Sequence, residues 1–99
     1  MLGHERCGAV KAATGAVLEG EHVIGHIGSV AAAIVPAVET ARSRPGDLLD
    51  NAVRANVALV VALLRASEPI LADRVRRGTL RVVGAHYGLH DGIVEVIVP

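Results

Sequence analysis

The residues best suited to chemistry sit at the start of the chain. In MLGHERCG, His4 and Cys7 are three apart, and Cys7 is the only cysteine. Imidazole nitrogen and thiolate sulfur are favoured donors for zinc, which usually takes four ligands. At a strand-to-helix junction, this spacing lets both side chains turn toward one point. Gly8 follows, and a glycine there lets backbone approach a ligand closely at the positive start of a helix. On spacing alone the pair is only a weak signal for half of a metal site. A single cysteine is more often a small buried hydrophobe, and a thiol at a helix start can also serve as a redox sensor.

The other histidines carry weaker signals. His22 and His26 are four apart, but the surrounding glycines put them in a loop, where structure or solvent explains them. His86 and His90 flank a turn. Free imidazole titrates near neutrality, so a proton shuttle is conceivable, although a strand-end or turn role is the plainer reading. Tyr87, the sole aromatic residue, reads as a core or interface anchor.

Several function classes fall away on composition. The 99 residues suffice for one domain. With 52% hydrophobic and 20% charged residues the chain is globular. Ten basic residues balance ten acidic ones, so there is no electrostatic footprint for nucleic acid or for an anionic membrane surface. Arg74, Arg76 and Arg77 read as a solvated helix end. NVALVVALL is too short to span a bilayer and reads as a buried helix face. No basic, then apolar, signal peptide is visible, so a cytoplasmic location is expected.

The elements that would hold the pair follow from periodicity. AVKAATGAVLEG reads as a helix stopped at Gly20. SVAAAIVPAVETARS reads as a second, with Ser29 as its cap and Pro36 kinking or dividing it. Asp47 caps a third, whose apolar residues from Leu48 to Leu64 cover a wide arc. Asn56 lies on that arc; buried without partners it would cost roughly 1–3 kcal/mol, so a clamp between elements is expected. SEPILADRVRRG is a short helix capped by Ser67 and ended by Gly78. TLRVVGAHYGL and IVEVIVP then read as strands joined at Asp91-Gly92. The order predicts an α/β fold: helices packed on a mainly parallel sheet that ends in a C-terminal hairpin. The stub MLGH is too short to be a strand alone, so the sheet looks incomplete.

LGHERCGAVKAA resembles the second metal-ligand segment of the β-class carbonic anhydrases. The resemblance continues in order through HIGSVAAAIVPAV, through NAVRANV with its Asn56-Val57 pair, and through PILADRVRRGTLRVVGAHYGLHDGIVEVI with Gly84, Tyr87 and Gly92. It implies reversible, zinc-dependent hydration of carbon dioxide to bicarbonate. In that family two cysteines and one histidine hold the zinc. By resemblance His4 and Cys7 are the histidine and the second cysteine, and the Gly8 N–H contacts bicarbonate. The family's first cysteine and its Asp–Arg pair lie in a C-x-D-x-R segment with no counterpart here. Residues 1–99 thus look like a partial domain, the C-terminal half of such an enzyme. It is expected to be inactive or nearly so alone, and to form a homodimer or higher homo-oligomer. The alternative is a non-catalytic remnant or dimerising module with a free Cys7.

Overall fold

The computed structural model describes residues 1–99. Its elements run β1 (Leu2–His4), α1 (Gly8–Glu19), α2 (Ile27–Ala41), α3 (Leu48–Arg65), α4 (Ile70–Arg76), β2 (Gly84–Tyr87) and β3 (Val94–Val98). The strands form one sheet in the order β1-β2-β3. β1 pairs with β2 in parallel and β2 with β3 antiparallel. The fold is the expected α/β arrangement ending in a C-terminal hairpin, with a mixed sheet. MLGH does become a strand, because β2 supplies its hydrogen-bonding partner: the Met1 ammonium donates to Val83 O at 3.0 Å and Ala85 N donates to Met1 O at 3.0 Å.

Local chemistry explains the helix ends. Gly20 closes α1 in the left-handed conformation, φ 65°, which costs glycine no steric strain. Asp47 caps α3 by accepting from Leu49 N at 2.9 Å. Two expected caps fail. α2 begins at Ile27 with His26 in the cap position, which leaves Ser29 inside the first turn. α4 begins at Ile70, after Pro69, and no side chain caps it; Ser67 instead accepts from Ala72 N through its backbone carbonyl. Pro36 does not divide α2, which runs unbroken through it.

The core lies between α1, α2 and α3 and is lined by small aliphatic residues, among them Val10, Ala13, Ile34, Val38 and Val53. α3 is the central element. It packs on α1, α2 and α4, and it alone among the helices packs on the strands. Its buried Val53, Val57 and Val61 form the ridge beneath the sheet. Gly3 and Gly84 meet that ridge. A Cβ on Gly84 would fall 2.6 Å from Val57 Cγ1 and 3.0 Å from Val61 Cγ2, so the close approach requires glycine. Asn56 is half-buried and makes no side-chain hydrogen bond, so it clamps nothing. No single helix is long and apolar enough to cross a membrane.

Candidate metal centre

β1 delivers His4 to the end of the sheet, and the turn that follows delivers Cys7 to the start of α1. The reversal is tight: Arg6 takes φ 54°. Cys7 occupies the cap position, and its carbonyl accepts from Lys11 N at 2.9 Å. Its side chain is half-buried against the aliphatic core and its thiol is free. The His4 ring is exposed, and its Nδ1 lies 2.8 Å from Glu5 O. A carbonyl only accepts, so Nδ1 carries the proton and Nε2 keeps its lone pair. This is the usual second hydrogen bond of a metal-binding histidine. Gly8 opens α1 and has open space where a Cβ would project. Its N–H is among the first four of the helix, which have no acceptor within the helix.

Glu5, between the two candidate ligands, staples their turn to the hairpin. Its carboxylate accepts from Leu89 N at 2.8 Å, His90 N at 3.2 Å and the His90 ring at 2.9 Å. The His90 hydrogen bond leads in holding the Glu5 carboxyl below its ordinary range, against the opposing effect of burial. Reciprocally, the bond to Glu5, followed by the charge of Asp91, raises His90. Glu5 could not be singled out from the sequence, because its partners lie more than eighty residues away.

A second cluster ties α3 to the strands. His86 is 5% exposed. Its Nε2 lies 3.0 Å from Asp50 Oδ1 but makes no hydrogen bond. Arg54 bonds Asp50 at 2.9 Å and Glu95 at 3.0 Å. The Asp50 bond is the main cause of a raised Arg54 guanidinium pKa. The Asp50–Arg54 half was readable in DNAVR as an i,i+4 pair; the partners on β2 and β3 were not. These side chains, with Glu5 and His90, line a cavity of about 190 Å³. His22 and His26 are exposed in the loop before α2.

Comparison with known proteins decides what the His-x-x-Cys turn belongs to. The family model described as carbonic anhydrase matches residues 1–94. The chain belongs to the β-class carbonic anhydrase family. It is 34% identical over 92 residues to carbonic anhydrase 2 of Mycobacterium tuberculosis, covering 93% of this chain and 44% of that protein. Against the carbonic anhydrase of Mycolicibacterium smegmatis it is 33% identical over 96 residues, covering 97% and 47%. The chain therefore spans less than half the length of these β-class relatives.

The donors present fit zinc in kind: an imidazole with a free Nε2 and a thiol sulfur. They do not fit in number. A catalytic zinc takes three protein ligands, and nowhere in the chain do three His, Cys, Asp or Glu side chains gather closely enough to hold a metal ion.

Proposed function

We propose that this chain supplies two zinc ligands, His4 and Cys7, to a carbonic anhydrase that reversibly hydrates carbon dioxide to bicarbonate, and that alone it has little or no activity. The observation that carries the reading is the family match over residues 1–94, which includes the His-x-x-Cys turn. When bound, zinc would supply a water acidic enough to attack carbon dioxide near neutral pH. The chain's residues would hold and orient. The Glu5 carbonyl fixes the His4 tautomer, so that Nε2 faces outward as a donor. The Glu5 carboxylate fixes the turn itself. The unpaired Gly8 N–H, at the positive end of α1, would hold bicarbonate. A homodimer or larger homo-oligomer is part of this reading.

A complete structural zinc site in a small peptide contributes roughly 10–16 kcal/mol. Two donors should hold the metal far more weakly. The test is zinc content by elemental analysis together with carbon dioxide hydration by stopped flow. Weak, substoichiometric zinc that disappears in Cys7→Ala, with turnover at background, is the expected result. Turnover well above background, or zinc retention unaffected by Cys7→Ala, would overturn the reading. The rival, a redox thiol at Cys7, predicts no zinc and reversible oxidation of the sulfur.

A further inference from the structure

We propose that the cavity between α3 and the β2–β3 hairpin is a binding site for a guanidinium cation, gripped between His86 and Asp50. The cavity measures about 190 Å³, far above the roughly 10–15 Å³ that a single water needs. Its wall carries four carboxylates, Glu5, Asp50, Asp91 and Glu95, against one guanidinium, Arg54. Even with the His90 ring protonated, four negative groups face two positive ones. The cavity therefore favours a cation.

An acidic wall alone names no ligand. The second observation is His86. Its ring is 5% exposed, and its Nε2 is the one buried side-chain nitrogen or oxygen in the chain without a hydrogen-bond partner. Buried polar atoms are almost always paired, because leaving one unpaired is costly. Asp50 Oδ1 lies 3.0 Å from Nε2, yet no hydrogen bond joins them. The other Asp50 oxygen, Oδ2, accepts from Arg54 Nε at 2.9 Å, and Arg54 also holds Glu95 at 3.0 Å. With its proton on Nδ1 the ring offers Nε2 as an acceptor. Nε2 and Oδ1 are then two adjacent acceptors that lack a donor.

Their spacing selects the ligand. A guanidinium is planar and presents parallel N–H groups in a fixed fork, the arrangement that grips two neighbouring acceptors at once. The N–H bonds of an ammonium splay too widely to reach both. A metal ion is the poorer fit, since no three donors gather here. Glu95, directly across from His86 in the register of β2 and β3, adds further negative charge beside the bound cation. The guanidinium comes either from a small guanidine or from an arginine side chain of another polypeptide. The inference goes beyond the enzymatic reading and does not depend on zinc.

The experiment is a titration of the purified full chain with methylguanidinium chloride at constant ionic strength, followed by NMR of the backbone amides and histidine rings. Saturable shifts centred on His86, Gly88 and Glu95 are expected. The free chain should show His86 protonated at Nδ1 and bare at Nε2. Asp50→Asn should weaken binding about tenfold or more, because a hydrogen bond to a charged group is lost. Cys7→Ala should bind methylguanidinium as wild type does, which separates this site from the zinc donors. Tetramethylammonium, a cation without N–H groups, should leave the cavity signals unmoved; this comparison needs no variant and decides the matter if Asp50→Asn fails to fold. A blocked glycine-arginine-glycine peptide distinguishes the sources: shifts at the same residues assign the site to an arginine side chain as well, and none assign it to small guanidines. Four results overturn the proposal: no saturable shift with methylguanidinium, equal shifts with tetramethylammonium, undiminished binding by folded Asp50→Asn, or a proton on Nε2 of the free chain.

Discussion

The Glu5 carboxylate joins the two ends of the chain. Its bonds to the His90 ring and to the Leu89 and His90 amides hold the His4–Cys7 turn against the hairpin. The pH dependence follows from the two shifts. Glu5 sits below its ordinary 4.5, so its contribution is present above that value and is lost as pH falls through the lowered pKa. His90 sits above its ordinary 6.5, so its contribution is complete below that value and is lost as pH rises through the raised pKa. Both are complete between pH 4.5 and 6.5. Proton NMR of the His90 ring should show a midpoint above 6.5 that drops in Glu5→Gln; an unmoved midpoint would show that the staple does not form in solution. Glu5→Gln should also lose the acid arm of the stability profile.

At the scale of elements, α3 organises everything that touches the sheet. Gly84→Ala would place a methyl against Val57 and Val61. The loss should be about 1–3 kcal/mol, as overpacking usually costs, read as a lower denaturation midpoint. Trimming the ridge with Val57→Ala in the same chain should recover part of that loss, because the two sites touch. Asp47→Ala removes the cap of α3 and should cost about 1 kcal/mol. The sequence made α1 and α3 readable because their stop and start signals, Gly20 and Asp47, act locally. Ser29 and Ser67 misled because a serine caps only where the backbone is extended just before the helix. At those points His26 and Pro69 already have helical dihedrals. β1 was unreadable as a strand for a different reason. Its three residues gain their hydrogen bonds from β2, more than eighty positions later.

At the scale of the molecule, a sheet covered on one side leaves valine and leucine in water. If two copies share that face, folding is coupled to association, and the thermal midpoint must rise with protein concentration. A midpoint independent of concentration in scanning calorimetry would assign the stability to the single chain. The same openness reaches the two ends of the first turn: His4 lies in a row of the uncovered face and is exposed, whereas Cys7 rests against the helical core.

The sequence by itself determined the order of elements and the hairpin, because local backbone preference settles these, and its resemblance to the β-class carbonic anhydrases gave the family. Only the tertiary structure decided that Glu5 locks the donor turn, that Asn56 clamps nothing, that His86 is buried against Asp50, and that one face of the sheet stays bare. Each of those depends on which distant residues meet across the fold, and packing between remote segments is not written in any local pattern.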